Sequence, residues 1–209
     1  LGSAVVIVAA SIALLFIAGA QLRYFLLLLI AASGALALLI WVEPYRMERL
    51  LAFIDPWAKP YDGGYQLVQA LIAFGRGELF GLGLGEGVQK LYYLPEAHND
   101  FIFAVIAEEL GAVGALTLVA VYSLFIVKIF AVARAQVEQD AFFSGYCCYF
   151  IGLIFAFQLL INLGVNTGTL PTKGLTLPFI SYGGNSLIIS SAMFGFVLRC
   201  AYPREVRGG

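Results

Sequence analysis

The chain has 209 residues, of which 61% are hydrophobic and only 12% charged, and its mean hydropathy is +0.91. Soluble domains carry about 25% charged residues, so the composition excludes a soluble globular protein and predicts an all-α, polytopic membrane protein. A net charge of -1 gives no footprint for nucleic acid, and Cys147, Cys148 and Cys200 lie in or at the end of apolar runs, with neither a disulfide framework nor metal-ligand spacing.

The chain opens inside an apolar segment without an initiator methionine or a basic flank, as expected of a piece of a longer protein. Five segments, roughly 1–20, 24–42, 111–130, 144–164 and 184–202, approach the ~20 apolar residues a spanning helix needs. Only "AQLR" separates the first two, and all seven prolines fall outside the span cores. Arg23, Lys128, Arg134, Arg199, Arg204 and Arg207 fall in three short connections on one side. Short basic loops stay cytoplasmic, which places Gly209 inside, and the connections 43–99 and 165–183 outside.

A connection as long as 43–99 is usually functional. In "YRMERLLAFI", Met47, Leu50, Leu51 and Ile54 share one helical face, with Arg46 and Arg49 elsewhere. In "YQLVQALIAFGR", Leu67, Ala70, Leu71 and Phe74 repeat that spacing, with Gln66, Gln69 and Arg76 on the other side. Both are expected as short amphipathic helices lying apolar face down at the outer interface. Their arginines either snorkel to lipid phosphates or form a head-group site. "GRGELFGLGLGEG" lacks dinucleotide and P-loop spacing; its glycines suit sharp turns and close backbone approach.

In "LYYLPEAHNDFIFAVIAEELG", Glu96, His98, Asn99 and Asp100 stand directly against an apolar run. Acids at a membrane lip are costly to desolvate and tend to mark function. One histidine cannot build the usual zinc site, and no nucleophile elbow is present. Two readings of Asp100 stay open on the residues alone: a general base toward a hydroxyl, or the cap of the helix that begins "FIF". Glu108 and Glu109 bear on topology. One helix from 100 to 130 would run about 46 Å, longer than the hydrocarbon core, so either it tilts strongly or 100–110 is a separate shallow helix ending at Gly111, the second being the favoured reading.

In the last outer loop, Pro171 and Pro178 bracket Lys173, and Ser186 and Ser190 lie one turn apart, as at a close helix contact. That loop is expected to pack against 43–99, with Lys173 bordering the same cavity as Asp100.

Four stretches together, "EPYRMERL", "DPWAKPYDGGYQLVQALIAFGRGELFGLGLG", "LPEAHNDFIFAVIAEELG" and "LPTKGLTLPFISYGGNSL", carry a family likeness. Over essentially its whole length the sequence resembles the SEDS membrane proteins (shape, elongation, division and sporulation), and its "LPEAH" and "PTKGLTLPFISYGG" resemble the division branch. Asn99 stands where Thr is usual and Asn185 where Ser is usual.

The resemblance implies the C-terminal half of a ten-span fold, inactive without the missing N-terminal half. It implies polymerisation of lipid II into peptidoglycan at the outer face of the bacterial cytoplasmic membrane, at the division septum. The essential acid falls on Asp100, with Arg46, Arg49, Gln66, Arg76, Glu96, His98 and Lys173 as candidate substrate contacts. Polyprenyl pyrophosphate would leave, its charge met by basic side chains, a divalent cation (Mg2+ or Mn2+), or both. The implied partners are a class B penicillin-binding protein and other division-complex membrane proteins. The rival readings are a lipid II flippase, which would place polar groups at midplane, and a non-catalytic division scaffold.

Overall fold

The computed structural model describes residues 2–42, 53, 55–57, 64–95, 97–171 and 174–202. Arg46, Arg49, Glu96, Lys173 and the helix expected over "YRMERLLAFI" (Phe53 apart) lie outside the described residues. Helices α1 (Gly2–Ile17), α2 (Leu22–Val42), α3 (Tyr65–Gly77), α4 (Ile102–Glu138), α5 (Phe142–Asn166) and α6 (Gly184–Ala201) are joined by a π-helical turn at Gln89–Tyr93 and irregular backbone. No strand occurs among the described residues.

Four helices, α2, α4, α5 and α6, are long and apolar enough to cross a membrane; α1, at 16 residues, is shorter than the expected 1–20. Gly19 ends it at φ 86, where Ala20 N–H donates to the Leu15 carbonyl and Gly19 N–H to that of Phe16, a Schellman closure that only glycine enters without strain.

The core lies between α4 and α5 and is closed by α6. Tyr122, Ile126, Ile129 and Ala133 of α4 meet Cys148, Ile151, Phe155 and Leu159 of α5 and Val197 of α6. The three- and four-residue spacing makes one continuous stripe on each helix. Gly145 and Gly152 let the α5 backbone approach α4. A Cβ on Gly152 would stand 2.7 Å from Phe130 Cε1, and one on Gly145 2.5 Å from Val137 Cγ2. Small residues serve this purpose where lipid offers no hydrophobic drive between helices.

Helix α3 is amphipathic, as its spacing predicts, but its surroundings differ from expectation. Its buried residues are Leu67, Val68, Ala70, Ala73 and Gly77, and Ala70 and Ala73 join one cluster with Ala104 and Val105 of α4. A Cβ on Gly77 would collide with the Ala107 carbonyl. Protein, not the membrane interface, covers its apolar face, because its small residues admit the α4 backbone.

Helix α4 is two helical segments. Gly111 sits at φ 68, ψ -171, a region essentially confined to glycine, where the separate shallow helix was expected to end. A break there orphans the carbonyls of residues 108 and 109 and the N–H groups of 112 and 113. The loop after α3 supplies all four partners. Leu82 N–H donates to the Glu108 carbonyl and Gly83 N–H to that of Glu109, while Ala112 N–H donates to the Glu78 carbonyl and Val113 N–H to that of Leu79, all at 2.9–3.1 Å. The glycine-rich loop is thus a backbone clasp across the broken helix. Gly81 and Gly111 touch so closely that a Cβ on either would overlap the opposing main chain.

The carboxylates at the break fasten the rest of the loop. Glu108, fully buried, accepts from Val88 N–H and Gln89 N–H and pairs with Arg76 Nη1 at 3.4 Å. Glu109 accepts from Gly85 N–H at 3.1 Å and from Lys90 Nζ at 2.6 Å.

Two predictions follow from the clasp. Gly111→Ala in the full-length protein loses roughly 1–3 kcal/mol from backbone conformation alone and more from overlap with Leu79 and Gly81. A fluorescence melt in detergent should show a clear fall in Tm, whereas Gly34→Ala, inside α2 with no atom within 4 Å of the new Cβ, should not lower Tm. Arg76→Ala leaves buried Glu108 without its counter-charge; with Arg76 41% exposed, the expected loss is about 1 kcal/mol. Adding Glu108→Gln should recover part of it. Additive losses in this double-mutant cycle would show that the pair does not couple.

Candidate functional site

The site is built on the strip His98–Asn99–Asp100, which enters α4. Each of its three consecutive carbonyls is held by a distant part of the chain. Tyr182 N–H donates to the His98 carbonyl at 2.8 Å and Ser181 Oγ to the Asn99 carbonyl at 2.6 Å. The Asp100 carbonyl accepts twice, from Asn162 Nδ2 at 3.0 Å and Asn166 Nδ2 at 2.9 Å. Both asparagines lie one turn apart near the end of α5 and are essentially inaccessible to solvent. Asn162 Nδ2 also donates to the Leu175 carbonyl at 2.9 Å, which ties the last loop to the same point.

These ties hold the strip against the last loop. Ser181 Oγ also accepts from Leu177 N–H at 2.7 Å, and Thr176 Oγ1 donates to Ser186 Oγ at 3.1 Å at the start of α6. Gly174 passes directly over the candidate carboxylate: a Cβ there would stand 3.0 Å from Asp100 Oδ2. The last loop therefore packs on 98–100, as expected from its sequence; Lys173 itself lies outside the described residues.

Helix α4 begins at Ile102 and its N-cap position is Phe101, whose own side chain makes no capping hydrogen bond. Asp100 stands one residue before that position, so the capping role weighed from the sequence is not what places it there. It is half-buried at the junction of a polar loop and an apolar helix, where a carboxylate is fixed through its own backbone while its side chain faces the loop. Such an arrangement suits proton abstraction from a hydroxyl.

The other candidates divide. His98 is exposed on the same strip, its ring edge-on to Tyr182 with centroids 6.0 Å apart. Gln66 is half-buried in the first turn of α3; its neighbour Leu67 meets the turn at Gly168 after α5. Arg76 belongs to the clasp, paired with Glu108. The clasp and the strip lie about eight residues apart along helix, roughly 12 Å. No three His, Cys, Asp or Glu side chains converge as a metal site among the described residues. Asn162, Asn166 and Ser181 were missed from sequence. The available signal was two asparagines at i, i+4 inside an otherwise apolar span, which in a membrane is a functional flag.

Comparison with known proteins places this geometry in context. The family model described as "Cell cycle protein" (FtsW, RodA, SpoVE) matches residues 1–205. A probable peptidoglycan glycosyltransferase FtsW of Coxiella burnetii is 52% identical over 204 residues, covering 98% of this chain and 55% of the relative. Its counterpart in Halomonas elongata is 54% identical over 200 residues, covering 95% and 50%. Among solved structures, a chain from "Structural coordination of polymerization and crosslinking by a peptidoglycan synthase complex" superposes with TM-score 0.69 at 31% identity, covering 95% of this chain and 54% of that one. A variant of the rod shape determining protein RodA of Thermus thermophilus gives 0.55 at 29%, covering 92% and 47%. The chain spans about half the length of the curated relatives it matches. With a family match over nearly its full length, this multi-pass helical chain belongs to the FtsW/RodA/SpoVE family of cell cycle proteins.

Proposed function

We propose that this chain is the half of a peptidoglycan glycosyltransferase that carries its general base, Asp100. The full-length protein then polymerises lipid II at the outer face of the bacterial cytoplasmic membrane during septal wall synthesis, with its C-terminus cytoplasmic. The observation that carries this reading is the Asp100 strip, a carboxylate at the boundary of polar loop and apolar helix whose main chain is tied at three successive carbonyls. The names of relatives at 52–54% identity support the same chemistry.

Lipid II has a polyprenyl tail in the bilayer and its sugars outside, so the base must stand at the interface. Asp100 takes the proton of the acceptor's GlcNAc 4-hydroxyl. The freed oxygen bonds to the donor's anomeric carbon with inversion, and the bond from that carbon to the pyrophosphate oxygen breaks, releasing polyprenyl pyrophosphate. Arg46, Arg49 and Lys173 are the cations proposed to meet the leaving group, Glu96, His98 and Gln66 the contacts to sugar or peptide. Arg76, committed to Glu108, acts by holding the clasp. The described residues do not converge as a protein cage for Mg2+ or Mn2+, and no step is assigned to a cation. A class B penicillin-binding protein is the proposed crosslinking partner, in keeping with the solved synthase complex whose chain this one resembles.

Asp100→Asn keeps shape and hydrogen bonding but cannot accept the proton. In the full-length protein supplied with purified lipid II in detergent, polymerisation should fall about 10²–10⁴-fold with Tm and partner binding retained. Polymerisation at close to the normal rate would remove Asp100 from the chemistry and with it this proposal.

A further inference from the structure

Asn166 occupies an unusual place at the start of α4. Had the helix begun at Asp100, the Ala104 N–H would donate to the Asp100 carbonyl. Instead the Asn166 carboxamide is inserted between them: its Oδ1 accepts from Ala104 N–H at 3.1 Å, and its Nδ2 donates to the Asp100 carbonyl at 2.9 Å. One side chain thereby satisfies both halves of a helical hydrogen bond and keeps it open. The amide's orientation is fixed by these partners, since the reverse would set NH2 against an N–H. Ala104 N–H also reaches the Phe101 carbonyl at 3.0 Å, so the helix is closed one residue late.

Asn162 completes the device. Its two N–H donors go to Asp100 and to Leu175, and its own carbonyl accepts from Asn166 Nδ2 at 2.9 Å. The Asp100 carbonyl has both lone pairs filled, and every donor on them comes from α5. The strip, the last loop and α5 thus share one hydrogen-bonded node, buried beneath the half-exposed Asp100 carboxylate.

We propose that Asn162 and Asn166 are positioning residues for the transferase: by propping open the first turn of α4 they hold Asp100 outside the helix and set its carboxylate in register with the last loop. This rests on the reading of Asp100 as the general base. It goes beyond that reading in assigning the base's placement to two amides in a membrane-spanning helix. Neither asparagine touches substrate; both act through Asp100.

The test is a set of substitutions in the full-length protein, assayed for lipid II polymerisation in detergent. Asn166→Leu removes the prop, and Asn162→Leu removes one of the two donors while leaving Ala104 capped. A base displaced by about an ångström costs on the order of 10²-fold, so Asn166→Leu should lower kcat ten- to hundredfold with KM for lipid II unchanged, and Asn162→Leu less. Placed on Asp100→Asn, neither substitution should lower the residual rate further, because there is no base left to misplace.

A loss of the same factor in both backgrounds, or a normal rate in Asn166→Leu, overturns the positioning role while leaving Asp100 as the base. If Asp100→Asn itself polymerises normally, the function and the positioning role fall together. Should Asn166→Leu fail to give folded protein, Asn162→Leu decides by the same two-background comparison.

Discussion

Backbone hydrogen-bonding groups have no water to turn to inside a bilayer-facing bundle, and every interruption of a helix there must be answered by protein. This chain interrupts α4 at two places, before Ile102 and at Gly111. At Gly111 the answer is main chain, with residues 78–83 lending two carbonyls and two N–H groups to the broken ends. At the start of the helix it is a side chain, the carboxamide of Asn166. At both places distant parts of the chain supply hydrogen-bond partners, which fixes the local geometry.

The short segment between those breaks is what carries the candidate site. Its far end is locked to α3 and the glycine-rich loop through Glu108 and Glu109, its near end to α5 and the last loop through three carbonyls. A loop carboxylate on a floppy connection would have to be ordered at each turnover. Here the ordering is already present in the fold, which is the condition under which a positioned base contributes fully.

Much of this was legible in the sequence, and its gaps have physical causes. Composition and apolar run length identify a helical membrane protein, and the length of 100–130 against the bilayer left a strong tilt or a break at Gly111, of which the structure has the break. The glycines of "GRGELFGLGLGEG" were readable as sites of close backbone approach, but what they approach was not. Backbone pairs with backbone at 78–83 and 108–113, and such pairing leaves no side-chain pattern except the absence of Cβ atoms. For α3, a 3.6-residue period reveals that a face is buried without saying what buries it. Ala70, Ala73 and Gly77 were the clue to protein, since a lipid-facing helix has no need of small residues. Asn162 and Asn166 were visible as polar residues in an apolar span, yet nothing local joins them to a carbonyl more than sixty residues away.

The same division of labour explains why a carboxylate can stand at the lip of a hydrophobic wall. Asp100 is tied by its main-chain carbonyl to Asn162 and Asn166, and the capping of Ala104 N–H falls to an uncharged amide buried in α5. Gly174 lets the backbone of the last loop pass close to the carboxylate, where a Cβ would stand 3.0 Å from Asp100 Oδ2. Uncharged amides suit this buried node: an asparagine can donate and accept at once, whereas a lysine or aspartate there would bring a charge into the apolar interior at far greater cost. At this node the polar side chains that hold Asp100 carry no charge of their own.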